Sequence, residues 1–432
     1  MKHLSSQPYK GTRDYYPKEK RLQNYIFETW RRVVERYGYE EYGAPILEPL
    51  ELYAAKSGQE LVNEQTYAFT DRGGREVSIR PEMTPSVSRM VAARRQELPY
   101  PARLYSIANF MRYERPQRGR EREFWQLNVD IFGVDGIQAD IEIITILDAI
   151  LKEFGAQSGD YIVKINSRTF IRYMMTQYLG LNEENALQMT KVFDRRNKLS
   201  EEQFESQVRA LLNDSADYEK VTAIVNTTSV ETLPEELQGV ESLQEIHAIF
   251  TALQRLGVTD IVFDATLMRG LDYYTGTVFE VADTHPDNNR SLFGGGRYDG
   301  LVGLFGAEPI SAVGVAPGNT MIEHFLEVHG LLPEDVSKTD LYVTPIGDSE
   351  EVAFGAQQLA AALRKDGLNV EVDISGRKLD KQIKAAEKKK IEHVLFVGLD
   401  DIAAAEYPVK NIVTGEETRL TPGDVAGRFR RP

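Results

Sequence analysis

Apolar residues recur at three- and four-residue steps through Leu22, Ile26, Val33 and Tyr37, the spacing that lines one face of an α-helix. Pro17 is placed to start that helix and Gly38 to stop it. The run Tyr39–Leu52 then reads as extended, although Pro45 and Pro49 lack the amide hydrogens that a central strand needs. A strand–turn–strand pattern follows over Thr66–Arg80, turning at Asp71–Gly74. Two β-rich arms over Leu104–Phe132 flank the charged string RYERPQRGRERE, and Ile137–Phe154 reads as an amphipathic helix. From about Thr169 to Leu256 strand signals nearly vanish and helical periodicity in Glu, Gln, Leu and Lys takes over, which predicts a helical insertion. Strand signals return at Ile261–Ala265. They continue through RGLDYYTGTVFEV (Arg269–Val281), the glycines Gly294–Gly296 and AVGVAPGN (Ala312–Asn319).

The last hundred residues have a different texture. Leu341–Thr344, Leu368–Asp373 and His393–Val397 read as strands, with helices over Glu350–Lys365 and Leu379–Lys389 between them. Val409–Leu420 reads as a hairpin turning at Thr414-Gly415. Strands alternating with helices at this pitch predict a small sheet with parallel pairs. The expected organisation is a first unit over 1–325 carrying the insertion at 169–256, a linker over 326–339, and a second unit over 340–432.

Composition narrows the chemistry. Of the 432 residues, 42% are hydrophobic and 27% charged, enough for real cores under a polar surface. No run of about 18 uninterrupted apolar residues occurs, so neither a spanning helix nor a membrane partner is expected. Met1-Lys2-His3-Leu4-Ser5 leads directly into polar sequence without the apolar core of a signal peptide. With no cysteine there is no disulfide or thiolate site, and the six histidines form no H-x-x-x-H pair, so no protein-held transition metal is expected. These features point to the cytoplasm. The net charge of −15 argues against a nonspecific nucleic-acid coat, since phosphate contacts need Lys and Arg. Local basic patches on an acidic chain still admit a nucleic-acid partner.

Phe110–Gly133, FMRYERPQRGREREFWQLNVDIFG, is the most informative segment. Arg112, Arg115, Arg118, Arg120 and Arg122 set planar cationic forks around one loop, suited to bidentate phosphate contacts. Its flanking aromatic strands provide a platform beneath them. In SIRPEMTPSV (Ser78–Val87), Glu82 and Thr84 lie two apart, which on a strand puts a carboxylate and a hydroxyl on one face, a pair able to bind an ammonium group. In LMRGLDYYTGTVFE, Tyr273 and Tyr274 fall on opposite faces if the segment is a strand. Gln126 and Asp130, four apart, share one face on the same reasoning.

Together these strings resemble the class II aminoacyl-tRNA synthetases, and specifically the histidyl-tRNA synthetases, over nearly the whole chain. F-x-R-x-E at Phe110–Glu114 resembles their motif 2, RPE-x-T their amino-acid loop, and RGLDYY and GGGRYDG (Gly294–Gly300) their two histidine-specific motifs. The helix ending near Tyr37 with the following Pro45 segment resembles motif 1, which builds the class II dimer interface. The resemblance implies an α+β catalytic domain on the class II antiparallel sheet, a helical insertion, and a C-terminal α/β anticodon-binding domain. It implies activation of L-histidine by ATP, with Mg²⁺ accompanying the nucleotide, transfer of histidine to tRNA(His), and a homodimer.

Carried over residue by residue, Arg112 grips the α-phosphate, Glu114 lies near the adenine amino group, Arg120 reaches the terminal phosphates and Phe124 stacks on adenine. Arg269 lies between the amino-acid carboxylate and the α-phosphate, so Arg269 and Arg112 are the catalytic pair. Glu82, Thr84, Gln126, Asp130, Tyr273, Tyr274 and Tyr298 bind histidine. Gln117 and Arg122 meet the tRNA acceptor end, and Arg377 and Lys378 in SGRKLDKQIKAAEKKK (Ser375–Lys390) contact tRNA from the anticodon-type unit, where Ser375 is placed to cap a helix. Two departures stand out. The family often has glutamate at Asp130, and the Gly-x-Glu-Arg ending of motif 3 reads Gly318-Asn319-Thr320-Met321. The synthetase-like regulatory subunit of ATP phosphoribosyltransferase shares the resemblance but normally lacks both the anticodon-type domain and an intact RGLDYY string. Both are present here.

Overall fold

In a computed structural model, which describes residues 4–54, 64–214, 217–268, 273–288 and 290–430, Pro17 opens a helix that runs to Arg36, and Gly38 at φ +79° turns the chain out of it. The chain divides into two compact units, Met1–Pro333 and Glu334–Pro432. The helix Asn319–Val328 belongs to the first unit and runs past residue 326, where the sequence reading begins its linker.

The first unit contains strands β1 (Glu40–Glu41), β2 (Leu47–Pro49), β3 (Tyr67–Thr70), β4 (Glu76–Ile79), β5 (Ala102–Met111), β6 (Glu123–Phe132), β7 (Tyr161–Ser167), β8 (Ile261–Phe263), β9 (Thr277–Asp283), β10 (Ser291–Arg297) and β11 (Ala312–Val315). Eight of them form one sheet in the order β1-β5-β6-β11-β10-β9-β7-β8, antiparallel except for the edge pairs β1–β5 and β7–β8. The other three form a small antiparallel sheet, β2-β4-β3. Between β3 and β4 the Asp71 carboxylate accepts from the backbone of Gly73 and Arg75 at 2.8 and 3.0 Å, which closes the expected turn.

Register decides which face of the large sheet does what. Residues directly opposite across a ladder point the same way, and partners run Ser106↔Asn128, Leu104↔Asp130, Asp130↔Gly314 and Gly314↔Gly296. Phe124, Gln126, Asn128 and Asp130 therefore share one face of β6. Leu127, Val129 and Ile131 share the other, where they join one core with Ile26, Trp30 and Val33 of the first helix and Ile143, Ile144 and Leu147 of the helix Gln138–Glu153. Apolar helices cover one face. The opposite, mixed face is left for the site.

Between β7 and β8 the described chain is helical, from Arg168–Tyr173 through Glu241–Arg255. It builds its own core from residues such as Phe170, Met189, Phe193, Phe204, Ile224 and Leu243. Two strand expectations are corrected here. β9 starts at Thr277, so Tyr273 and Tyr274 lie in the preceding turn, and strand alternation does not separate them. β4 ends at Ile79, Glu82 sits in a loop, and Thr84 begins the helix Thr84–Ala93 with Pro85 in its first turn, a position where proline's missing amide hydrogen costs nothing.

The second unit is a five-stranded sheet in the order Val370–Val372, Leu341–Pro345, His393–Val397, Tyr407–Asn411 and Glu417–Leu420, its first three strands parallel. Leu341, Val343, Leu395 and Val397 pack on one side with Ala356, Leu359 and Leu363 of Glu350–Lys365. Tyr342, Val394 and Phe396 pack on the other with Ala386 of Leu379–Lys388. Ser375 does not cap that helix. Its N-cap is Lys378, while the Ser375 hydroxyl donates to Asp373. The helices Leu399–Ala404 and Pro422–Phe429 escaped the sequence reading.

Candidate active site

The long β5–β6 hairpin ends in a loop closed by Arg112 donating its amide to the Arg122 carbonyl at 2.9 Å. A reciprocal backbone pair, Gln117 and Arg120 at 3.1 and 2.8 Å, makes the tip a tight turn, with Gly119 at φ +77°, where a side chain is disfavoured. Arg112 donates Nε to the Pro81 carbonyl at 2.9 Å, and its guanidinium lies 5.3 Å from the Phe124 ring. That ring stacks obliquely on Phe110 at 6.0 Å. Arg80, which the sequence reading passed over, fixes the adjoining loop. It donates to the backbone carbonyls of Asn109 and Ala44 at 2.9 and 2.8 Å and is itself buried. Arg112 and the Glu82–Thr84 segment are thus held side by side.

Arg120 pairs with Glu114 at 3.5 Å, with Arg120 largely exposed. Such exposed pairs contribute roughly 0–1 kcal/mol, so a phosphate can displace the carboxylate. Gln117 and Arg115 stand exposed on the same loop. Arg122 does not. It is 8% exposed, donates to the Tyr9 hydroxyl at 3.1 Å and the Glu114 carbonyl at 3.1 Å, and lies 4.0 Å from the Tyr113 ring centre. It staples the base of the loop and is not presented on its outer face.

Across the sheet stands a wall of three tyrosines. Ring centres lie 4.9 Å apart for Tyr273–Tyr274 and 5.9 Å for Tyr273–Tyr298. At one end Tyr273 donates to the buried Glu82 carboxylate at 3.1 Å and approaches the Thr84 hydroxyl at 3.5 Å. At the other, Tyr298 donates to Asp130, which is only 3% exposed. Burial raises both phenols well above their ordinary range, and the neighbouring carboxylates push them further, so both remain donors. Burial lifts the Asp130 carboxyl from 3.8 to about 7, against the opposing pull of the Tyr298 hydrogen bond.

Two glycines make the wall possible. A Cβ on Gly314 would overlap the Asp130 carboxylate, and one on Gly296 would stand 2.9 Å from the Tyr274 ring. Asn128, between Gln126 and Asp130 on the same face, is buried with an amide nitrogen that has no partner among the described residues. It too was missed, although the alternation that selected Gln126 and Asp130 passes through it. Arg269 lies outside the described residues.

The family model described as histidyl-tRNA synthetase matches residues 11–319, and that described as anticodon binding domain matches 340–431. A histidine–tRNA ligase of Leptospira biflexa is 41% identical over 416 residues, covering 95% of this chain and 94% of its own. That of Haloarcula marismortui is 35% identical over 433 residues, covering 98% and 97%. The chain belongs to the histidyl-tRNA synthetase family. Among solved structures, the histidyl-tRNA synthetase of Nostoc sp. PCC 7120 shares the fold with a TM-score of 0.84 at 24% identity, over 99% of this chain and all of that one.

Within the family frame, the motif 3 departure becomes specific. Met321 lies in the first turn of Asn319–Val328, and its sulfur stands 2.5 Å from where a Cβ on Gly119 would be. The loop tip and the motif 3 helix therefore touch at the residue that replaces the family's arginine. Arg118, at that tip, pairs with Glu327 of the same helix at 3.3 Å. In the second unit, Arg377 is tied to Asp373 at 2.9 Å and to the Ser375 hydroxyl at 2.6 Å while remaining partly exposed, and Lys378 sits at the head of the basic helix.

Proposed function

We propose that this chain activates L-histidine with ATP and transfers it to tRNA(His). The observation that carries the reading is the tyrosine wall joining two buried carboxylates, Glu82 through Tyr273 and Asp130 through Tyr298. An amino acid with an ammonium at one end and a hydrogen-bonding heteroaromatic ring at the other fits that arrangement. Glu82 and Thr84 take the ammonium. Gln126 and Asp130, with Tyr274 and Tyr298, meet the imidazole, which in neutral form offers one donor and one acceptor.

Arg112 and Arg269 hold the α-phosphate and the histidine carboxylate as a carboxylate oxygen attacks phosphorus and pyrophosphate leaves. Fixed cations aimed at developing charge typically supply about 3–4 kcal/mol each at the transition state. Phe124 stacks on adenine, Glu114 lies beside its amino group, and Arg120 meets the terminal phosphates. In the second step a terminal ribose hydroxyl of tRNA attacks the carbonyl carbon of the adenylate, and AMP leaves. Among the described residues no three His, Asp or Glu side chains stand together as a metal site. Mg²⁺ comes with ATP, held mainly by phosphate oxygens.

Gln117 at the exposed loop tip faces the acceptor end, and Arg377 and Lys378 serve the anticodon side. The buried position of Arg122 makes it a support for the loop in this scheme. A cytoplasmic homodimer formed through the motif 1 region completes the proposal. The test is histidine-dependent ATP–pyrophosphate exchange followed by charging of tRNA(His) by the purified chain. Absence of histidine-dependent exchange refutes the reading.

A further inference from the structure

The segment Tyr9–Tyr15 precedes the first helix and has no part in the chemistry above, yet it is tied to both sides of the nucleotide site. On the loop side, the Gly11 carbonyl accepts from the Arg122 amide at 2.6 Å and the Tyr9 hydroxyl accepts from its guanidinium at 3.1 Å. Gly11 has φ +88°, and a Cβ there would meet the side chains of Arg122 and Pro116, each at 2.8 Å, so the segment is seated directly on the loop base. On the helix side, Arg13 donates to both oxygens of Glu323 at 3.2 and 2.5 Å, and Tyr15 accepts from Asn319 at 3.4 Å. Asn319 and Glu323 belong to the motif 3 helix, and Asn319 also accepts from the Trp125 amide of β6 at 2.8 Å. The remaining edge of Arg13 faces Glu121 of the loop, 3.1 Å away. One guanidinium thus bridges a carboxylate on the phosphate loop and a carboxylate on the helix that lacks the family's arginine.

We propose that Tyr9–Tyr15 is a strap that fixes the ATP loop against the motif 3 helix, and that Arg13 is its positioning residue. Arg13 is not itself a phosphate ligand, because two carboxylates already neutralise it. Its part is geometric: a planar fork can engage two carboxylates at once, whereas a lysine ammonium acts as a point charge. The proposal rests on reading residues 112–122 as the ATP loop.

The test compares Arg13→Ala and Arg13→Lys with the unaltered full-length chain, in two assays. In ATP–pyrophosphate exchange, Arg13→Ala is expected to raise KM for ATP about tenfold, a tenth of the roughly hundredfold that a full 1 Å misplacement can cost, and to leave KM for histidine unchanged. Arg13→Lys is expected to fall between. In limited trypsin digestion of the ligand-free protein, Arg13→Ala is expected to speed cleavage within residues 115–120. If Arg13→Ala fails to fold, the near-isosteric Glu323→Gln carries the same two expectations. A folded variant with unaltered KM for ATP and unaltered cleavage overturns the strap, and so does an equal rise in both KM values. If the unaltered chain shows no histidine-dependent exchange, the proposed activity falls, and the cleavage rates alone decide the strap.

Discussion

Replacing Asp130 by asparagine removes one negative charge from a side chain that is 3% exposed and changes almost nothing in its size. Burial holds that carboxyl at about 7 against an ordinary 3.8, which disfavours its charged form by roughly 4 kcal/mol at about 1.36 kcal/mol for each pKa unit. The sign follows from proton counting. Between the two values the folded chain holds a proton that the unfolded chain has released, so stability falls as pH rises from about 4 to about 7 and stays low above. Asp130→Asn is therefore expected to melt at a higher temperature than the unaltered protein at pH 8, with the advantage shrinking towards pH 5. The same change should raise KM for histidine about a hundredfold, because a hydrogen bond to a charged partner contributes roughly 1.5–3 kcal/mol. Thermal melts at pH 5 and pH 8, with exchange kinetics at pH 8, measure both. A variant that binds histidine normally removes Asp130 from the pocket. One that melts lower at pH 8 contradicts the cost assigned to its charge.

Three further outcomes are expected. Gly314→Ala places a methyl group against the Asp130 carboxylate and 3.1 Å from the Tyr298 ring, so it should raise KM for histidine far more than KM for ATP in exchange assays. Arg120→Lys should raise KM for ATP and leave that for histidine nearly unchanged. Met321→Arg should partly rescue it, because Met321 touches Gly119, the neighbour of Arg120; strictly additive effects in the double mutant would show that the two positions do not share a phosphate site. Removing residues 340–432 should leave histidine-dependent exchange partly active in the remaining unit and impair tRNA charging, and unchanged charging by the truncated chain refutes that division of labour.

Where the sequence carries its own punctuation, the elements were legible. Pro17 and Gly38 bracket the first helix, Asp71–Gly74 makes its turn through the Asp71 carboxylate, and the two arms around the arginine loop pair over ten residues each. Legibility failed where a strand was inferred from a short motif. Pro85 lies in the first turn of a helix, a recognised start signal, and weighing it would have moved Thr84 from strand to helix. The face shared by Gln126 and Asp130 followed from period-two alternation and needed no structure. That Asp130 meets Tyr298, 168 positions away, follows from sheet order, and that Arg13 meets Glu323, 310 away, from the packing of the N-terminal segment on a distant helix; local pattern contains neither.

The same sheet order explains why the pocket needs glycine and tyrosine together. β11 lies beside β6 and β10 beside β11, so any side chains on Gly314 and Gly296 would occupy the face that Asp130, Tyr298 and Tyr274 now fill. Empty positions on two neighbouring strands let large rings lie across the sheet, and those rings exclude water from the carboxyl. Exclusion of water raises the cost of ionising Asp130. It also strengthens any hydrogen bond that a ligand brings. An apolar analogue of histidine would bring Asp130 no hydrogen bond beyond that of Tyr298 and would leave the buried Asn128 amide unpaired, a penalty that a site built around hydrogen bonds imposes on every ligand lacking them. On the proposed function, selectivity and the stability cost of Asp130 are therefore two readings of one desolvated carboxyl, and a variant that relieves the second should lose the first.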